Sequence, residues 1–415
     1  MNRTSFHLLR LISVIFCAVA LSASAQDKVI PNVSPLPKTT PWNLEALSKA
    51  PAFEWSEGTQ VRSLYYSGES YQGKPTRVFA YYATPGTLAG DPSKDKHLPG
   101  IVLVHGGGGK AFDAWAKLWA SRGYAAIAMD LSGAGPDGKH MTDGGPDQSD
   151  GTKFRLGAPD TDQWTYHAVA AVIRAHSLLR SFPEVDAQRT AVTGISWGGY
   201  LTCIVAGVDQ RFKAAVPVYG CGFLHENSCW LKRLGDMPEA DRAKWIQLWD
   251  PSKYVGSATM PMLFVNGGKD FAYPPDSHAK TYALVKSPKN LHFVPNLNHG
   301  HIFDRPSAIE VFIKQHLEGG VPLARIDEPK VEGKRITARV ETPTKLVKAM
   351  LHYSVDAFPG DPKTRKWISL PAEIADGQIR AELPPETVTV WFLTVDDERQ
   401  TTVSSRLVFP QSGGK

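Results

Sequence analysis

A serine is flanked by glycines in the segment Gly-Ile-Ser-Trp-Gly at 194–198, which follows the apolar run 190–193 and precedes the apolar run 200–206. This order predicts a tight turn between a strand and a helix, with glycine at two positions where a Cβ would clash. Such a turn exposes the Ser196 hydroxyl and places a helix N-terminus beneath it, which favours developing negative charge. Ser196 is therefore a candidate nucleophile if the chain also supplies a base and a carboxylate.

Both partners follow later in the chain, each after a predicted strand. Asp270 closes the segment Asn-Gly-Gly-Lys-Asp after the apolar run 261–265, and His299 lies shortly after the run 290–294. The chain order is serine, aspartate, histidine, which is one of the known orders of a catalytic triad.

A fourth motif is the segment His-Gly-Gly-Gly-Gly at 105–109, directly after the buried-type strand 101–104. Glycines at this place leave backbone N–H groups free to point at an oxyanion. The segment is not a phosphate-binding loop, because Val104 occupies the place of the first glycine and Ala111 that of the Ser/Thr.

The elements that must position these residues alternate as in a parallel sheet with crossover helices. Predicted strands cover 77–83, 101–104, 124–129, 190–194, 213–219, 261–265 and 290–294, and predicted helices cover 111–122, 162–181 and 306–317. Because all four motifs follow strand ends, we expect them to meet at the carboxyl edge of the sheet.

Alternatives exist for two of the candidates. His301 competes with His299 as the base, and Asp276 competes with Asp270 as the carboxylate. The pair His299 and His301 with Asp304 could instead hold a metal, but the sequence offers no third histidine to support this, so we predict neither metal nor cofactor.

Two insertions leave the same strand ends and are expected to wall a cleft. The segment 131–162 is rich in Gly, Asp and Pro, and the segment 220–260 contains His225, Trp230, Trp245 and Trp249. We predict His225 and Trp230 as pocket residues. The tryptophans either offer flat surfaces to a sugar or aromatic group, or simply anchor helices on the domain.

The N-terminus has the pattern of a signal peptide. Arg3 and Arg10 precede or border the short apolar run 11–20, and Ala-Ser-Ala at 23–25 predicts cleavage after Ala25. We therefore expect a secreted or periplasmic protein with no membrane association after cleavage. Removal of the two arginines changes the formal net charge from +5 to +3, which is too small to favour nucleic acid as a partner.

Three cysteines follow the predicted cleavage site. Cys203 is expected to be a buried thiol on the helix after Ser196. Cys221 and Cys229 lie eight residues apart, and the sequence leaves open whether they form a disulfide.

From about residue 321 the pattern changes to alternation with period two. The alternating segments are 336–342, 349–355, 378–383, 387–394 and 402–408, with turn residues between them. They predict a small β-sandwich. The predicted division is a signal peptide at 1–25, an N-terminal arm at 26–74, an α/β domain at 75–320 and a sandwich accessory domain at 321–411.

With these motifs in place, residues from about 75 to 318 resemble the α/β-hydrolase superfamily, and in particular its branch of exported acetyl xylan esterases, dienelactone hydrolases and prolyl-oligopeptidase-like enzymes. The resemblance implies a mostly parallel sheet flanked by helices. It also implies that Ser196 is the nucleophile, His299 the base and Asp270 the acid. The N–H groups of Gly107, Gly108 and Trp197 would form the oxyanion hole.

The same resemblance implies a serine esterase for a short acyl ester, such as an acetyl ester of a polysaccharide. Two other functions stay open. A peptidase of this branch would need a large N-terminal propeller, whereas only about 75 residues precede the hydrolase core. A catalytically inactive hydrolase fold could bind carbohydrate through the sandwich. The sequence does not determine the acyl length, the alcohol partner or the oligomeric state.

Overall fold

The computed structural model describes residues 33–156, 159–300, 303–385 and 387–410. The predicted signal peptide, its cleavage site and His301 lie outside these residues. The described α-helices are α1 (Leu44–Leu47), α2 (Pro85–Ala89), α3 (Asp113–Ser121), α4 (Asp150–Lys153), α5 (Trp164–Leu179), α6 (Trp197–Val208), α7 (Leu231–Gly235), α8 (Glu239–Trp249), α9 (Pro275–Leu284) and α10 (Ser307–Glu318).

The described strands of the first three quarters of the chain are β1 (Phe53–Trp55), β2 (Arg62–Ser67), β3 (Arg77–Ala83), β4 (Leu98–Val104), β5 (Ala125–Met129), β6 (Val185–Ile195), β7 (Ala214–Val218), β8 (Met262–Lys269) and β9 (Lys289–Asn298). Those of the last quarter are β10 (Arg325–Ile326), β11 (Lys330–Glu332), β12 (Arg335–Glu341), β13 (Leu346–Ser354), β14 (Ile368–Pro371), β15 (Glu373–Ala375), β16 (Gln378–Glu382), β17 (Val390–Asp397) and β18 (Thr402–Ser404).

One large sheet forms the centre of the described molecule, in the order β1-β2-β3-β5-β4-β6-β7-β8-β9-β18-β17-β13-β14. The strands from β5 to β9 run parallel, and the strands on either side of them pair antiparallel. This is the mostly parallel, helix-flanked sheet of an α/β-hydrolase. Every residue of β5 and β7 is buried, as expected for apolar strands covered on both faces.

The sheet changes direction of growth at β4, which has β5 on one side and β6 on the other. A crevice opens at such a point, outside the carboxyl ends of the strands. Val104, the last residue of β4, pairs with Gly194 near the end of β6. The glycine segment after β4 and the serine turn after β6 therefore emerge side by side.

The strands β8 and β9 are longer than the sequence predicted. Their pairing continues past an irregularity between Gly267 and Lys269, and Lys269 pairs with Asn298. Each of these two residues is the last of its strand. Asp270 and His299 consequently leave the sheet as neighbours, although 29 positions separate them in the chain.

The last quarter of the chain is rich in strands, as predicted, but it is joined to the central sheet. β18 pairs with β9 through Ser404 and Leu291, and β17, β13 and β14 extend the sheet from there. β10, β11, β12, β15 and β16 form a second, separate sheet. The division between β1–β9 and this β region at about residue 320 stays a prediction.

The predicted N-terminal arm contains two strands and an anchor. β1 and β2 add to the sheet beside β3. Trp42 is buried and its indole N–H donates to the Tyr166 carbonyl at 3.0 Å. Among the described residues, no helix has the length and apolar composition needed to cross a membrane.

Candidate active site

Ser196 occupies a strained turn between β6 and α6. Its φ of 62° and ψ of −121° are values that a residue with a side chain rarely adopts. A Cβ on Gly198 would lie 1.9 Å from the Val104 carbonyl oxygen, and one on Gly194 would lie 2.3 Å from the Gly198 carbonyl oxygen. The two glycines thus allow the strand, the turn and the start of the helix to pack at backbone distance, which forces the serine outward.

The structure brings Ser196, His299 and Asp270 into one hydrogen-bonded chain. His299 Nε2 lies 2.9 Å from Ser196 Oγ, and His299 Nδ1 lies 3.0 Å from Asp270 Oδ2. An ionised carboxylate accepts, so Nδ1 carries the proton and Nε2 is left to accept from the serine hydroxyl. This is the tautomer that a general base beside a serine requires.

Asp270 is fully buried and its other oxygen is also engaged. Oδ1 accepts from the backbone N–H groups of Ala272 and Tyr273 at 2.8 and 2.9 Å. Hydrogen bonds from backbone donors stabilise the ionised form of a buried carboxylate and fix its orientation. Asp270 can therefore hold the His299 ring in one position.

The competing carboxylate, Asp276, lies elsewhere. Both of its oxygens accept from the Asn227 side chain at 3.0 Å. The described residues contain no group of three or more His, Cys, Asp or Glu side chains that could hold a metal ion.

The glycine segment after β4 offers a choice of donors. Within the described residues the N–H groups of Gly107 and Trp197 have no acceptor, whereas the Gly108 N–H donates to Gln148 Oε1 at 2.9 Å and the Gly109 N–H to the Gly106 carbonyl at 3.1 Å. In this structure Gly107 and Trp197 are thus available for an oxyanion and Gly108 is engaged. The sequence could not show this, because Gln148 comes from the insertion 131–162.

His105, at the start of this segment, links two strand ends. It is buried, its Nδ1 lies 2.8 Å from the Gly106 carbonyl oxygen, and the Leu131 N–H donates to its Nε2 at 2.9 Å. These partners require a neutral ring with the proton on Nδ1. The contacts tie the loop after β4 to the loop after β5, a role that sequence reasoning missed.

The wall beside the serine is aromatic. The Trp197 ring lies 4.7 Å from the Trp230 ring and 5.9 Å from the Phe154 ring, so each insertion contributes one side chain. Trp230 in turn lies 5.2 Å from Tyr273, whose ring is stacked 6.1 Å from His299. The structure thus places Trp230 at the site, as predicted.

Three other predicted wall residues lie away from the cleft surface. Trp245 and Trp249 are completely buried, so they anchor the second insertion and do not offer flat surfaces to a ligand. Trp245 stacks on Phe154 at 5.2 Å, and its indole N–H donates to the Lys153 carbonyl at 2.9 Å. His225 lies 3.8 Å from Glu226 and is 28% exposed.

Burial keeps the neighbouring phenols and thiols neutral. It raises the pKa of Tyr219 and of Tyr273 well above the ordinary value, and it raises the pKa of Cys229 to about 12. Cys221 and Cys229 have free thiols in the structure. Deprotonated phenolate or thiolate is therefore not expected to compete with Ser196 as the nucleophile at neutral pH.

The C-terminal β region reaches the other side of the site, which the sequence did not indicate. The Trp367 indole N–H donates to the Gly268 carbonyl at 3.3 Å, two residues before Asp270. Lys363 Nζ lies 4.4 Å from the centre of the Phe271 ring, which is itself 5.2 Å from the His299 ring.

The fold and this site together define a hydrolase of the α/β-hydrolase superfamily, in which a serine, a histidine and a buried aspartate meet at the carboxyl edge of the sheet. Comparison with known proteins places the chain more closely. The model of the acetyl xylan esterase (AXE1) family matches residues 53–272, and that of the PhoPQ-activated pathogenicity-related protein matches residues 234–357. The first match covers more than half of the chain, which therefore belongs to the acetyl xylan esterase (AXE1) family.

Curated relatives include both esterases and peptidases. Acetyl esterase Axe7A of Xylanibacter ruminicola is 25% identical over 226 residues, which are 50% of this chain and 51% of that protein. Dipeptidyl aminopeptidase BIII of Pseudoxanthomonas mexicana is 27% identical over 247 residues, which are 54% of this chain and 33% of that protein. The matches thus span about half or less of the length of these relatives.

Solved structures show the same fold. Acetyl xylan esterase 1 of Thermoanaerobacterium sp. superposes with a TM-score of 0.53 at 18% identity, over 68% of this chain and 96% of that one. The acetyl xylan esterase of Paenibacillus sp. R4 gives a TM-score of 0.52 at 23% identity, over 66% and 92%.

Proposed function

We propose that this protein is a secreted serine esterase that removes short acyl groups, acetyl first, from polysaccharide. The single observation that supports it most is the hydrogen-bonded chain from Ser196 through His299 to Asp270. The family and the relative Axe7A favour an acetyl ester as substrate, and the N-terminal sequence pattern favours export.

Acylation begins when Ser196 Oγ attacks the ester carbonyl carbon while His299 Nε2 takes the hydroxyl proton. Asp270 Oδ2 stabilises the imidazolium that forms. The carbonyl oxygen becomes an oxyanion, and the N–H groups of Gly107 and Trp197 are the donors that can receive it. Each such donor contributes about 3 kcal/mol to transition-state stabilisation.

The tetrahedral intermediate collapses when the bond from carbon to the alcohol oxygen breaks. His299 donates its proton to that oxygen, and the alcohol leaves. Water then attacks the acyl-serine with His299 as base, and a second collapse releases the carboxylic acid and restores the Ser196 hydroxyl. This cycle uses side chains, backbone donors and water.

A peptidase is the second candidate, because relatives such as dipeptidyl aminopeptidase BIII share the hydrolase segment. An amide substrate would need the same triad. It would also need a group that binds the peptide amine. The two functions therefore differ in substrate and not in catalytic residues.

The test is hydrolysis of p-nitrophenyl esters from acetyl to octanoyl, with aminoacyl p-nitroanilides in parallel. We expect turnover of short-chain esters and a loss in Ser196→Ala of about 10⁵-fold or more in kcat. Ser181→Ala, at the end of α5, is the matched control and should retain activity. Ester turnover that persists in Ser196→Ala, or turnover of anilides alone, would refute the esterase proposal.

A further inference from the structure

One lysine is buried in the wall of the site. The side chain of Lys153, the last residue of α4, is only 7% exposed, and its Nζ lies 2.9 Å from Asp150 Oδ1. Asp150 is 62% exposed. An ammonium group is rarely removed from water to this extent with only a solvent-exposed carboxylate as its ionic partner.

The position of this ammonium is set by the residue that follows the nucleophile. Lys153 Nζ lies 4.7 Å from the centre of the Trp197 ring, and Trp197 also supplies one of the available oxyanion donors. The backbone at this point is held from behind, because Trp245 donates to the Lys153 carbonyl. The positive charge is thus fixed beside the reacting centre.

A second donor lies on the same segment. Gln148 uses Oε1 to accept from the Gly108 N–H, which leaves its NH₂ group pointing away from that contact. Within the described residues this buried Nε2 has no acceptor. A buried donor without a partner costs about 1–3 kcal/mol, so an acceptor from a ligand would offset an existing penalty.

From these contacts we propose that Lys153 binds a carboxylate on the substrate, and that the preferred substrate is an ester of an acidic sugar residue, a uronic acid. The aromatic rings of Trp230 and Phe154 suit the face of a sugar, and the lysine supplies the counter-charge for its carboxylate. Asp150 holds the ammonium in the free enzyme and is displaced towards solvent when the carboxylate arrives. As a statement about turnover this inference rests on the proposed esterase function, whereas as a statement about binding it does not.

The binding experiment uses Ser196→Ala to prevent turnover, with methyl glucuronoside as the probe and its neutral uronamide as the matched ligand. We expect the acid to bind at least about tenfold more tightly than the amide at low salt, since hydrogen bonds to charged groups are worth 1.5–3 kcal/mol. Adding Lys153→Met should make the two affinities equal, and Lys153→Arg should keep much of the preference.

Two further variants separate this site from a general effect of charge. Asp150→Asn removes the competing carboxylate and should strengthen the preference for the acid. Lys232→Met removes a lysine that is 87% exposed and paired with Asp236 on α7, and it should leave the preference unchanged. Equal binding of acid and amide by the parent protein, or a preference that survives Lys153→Met, would overturn the proposal.

The kinetic experiment uses O-acetylated methyl glucuronoside and its uronamide, with acetate release as the readout. The ratio of the two kcat/KM values should favour the acid and should fall to about one in Lys153→Met. A loss of p-nitrophenyl acetate hydrolysis in the parent protein would contradict the proposed esterase function, while the binding comparison would still decide the role of Lys153.

Discussion

Two regions contact the site from opposite sides, and they do so in different ways. The insertion 131–162 reaches the oxyanion side with side chains, through Gln148 on Gly108 and Phe154 on Trp197. The C-terminal β region, 321–410, reaches the acid side through the backbone, where Trp367 donates to the carbonyl of Gly268. The first region is suited to select a substrate, and the second is suited to hold Asp270 in place.

The largest expected effect comes from removing one of the two regions. Truncation after Gly320 deletes β18, which pairs with β9, and β9 leads directly into His299. It also exposes a row of unpaired backbone groups along a central strand. We expect the truncated chain to lose cooperative unfolding and all esterase activity, as followed by circular dichroism and p-nitrophenyl acetate hydrolysis. A folded and active fragment would instead show that the region is an accessory module.

The next effect probes the oxyanion side. A Cβ on residue 107 would lie 2.5 Å from Trp197 Cδ1, and that ring is enclosed by Tyr200 and Trp230. Gly107→Ala should therefore shift the loop and lower kcat by about 10²-fold or more, since one oxyanion donor is displaced. Gly235→Ala is the control, because a Cβ there meets nothing within 4 Å. An unchanged kcat in Gly107→Ala would exclude Gly107 as a donor.

A matched pair of substitutions compares the two regions directly. Trp245→Phe removes the donor to Lys153, and Trp367→Phe removes the donor to Gly268, while each keeps an aromatic ring. Each should lower the free energy of unfolding by about 1 kcal/mol. Trp245→Phe should change mainly KM, and Trp367→Phe mainly kcat, severalfold in each case. The opposite assignment would show that the regions have exchanged roles.

The smallest effect concerns acid stability, which depends on buried histidines in both parts of the molecule. Burial lowers the pKa of His278 on α9 to about 3 and that of His352 on β13 to about 4, from an ordinary 6.5. The unfolded chain takes up these protons below about pH 6.5, but the folded chain does not until the lower values. The folded state is therefore fully favoured above pH 6.5 and loses stability as the pH falls towards 3.

His278→Leu should make urea unfolding less sensitive to pH between 6.5 and 4, by up to about 1.4 kcal/mol per pH unit. Neither ring nitrogen of His278 has a partner within the described residues, so the substitution breaks no hydrogen bond there. His352 bonds Ser369 and Thr394, so its replacement should also cost stability at neutral pH. Equal pH slopes in the parent and His278→Leu would contradict this account.

The sequence by itself determined the features that depend on neighbouring residues. Glycines two positions either side of Ser196 are required by the turn whatever surrounds it, and the apolar runs before Asp270 and His299 specify strands locally. The order of these motifs along the chain then indicated the superfamily and the identity of the three residues that the structure brings together.

The tertiary structure alone decided what depends on pairing between distant segments. The register of β8 against β9 sets Asp270 beside His299, and the approach of Gln148 leaves Gly107, and not Gly108, as the available donor. The joining of β18 to β9 makes the C-terminal region part of the central sheet. Alternation with period two shows that a strand has a buried face, but it does not show which edge the strand will pair with, because that choice is made by contacts between residues far apart in the chain.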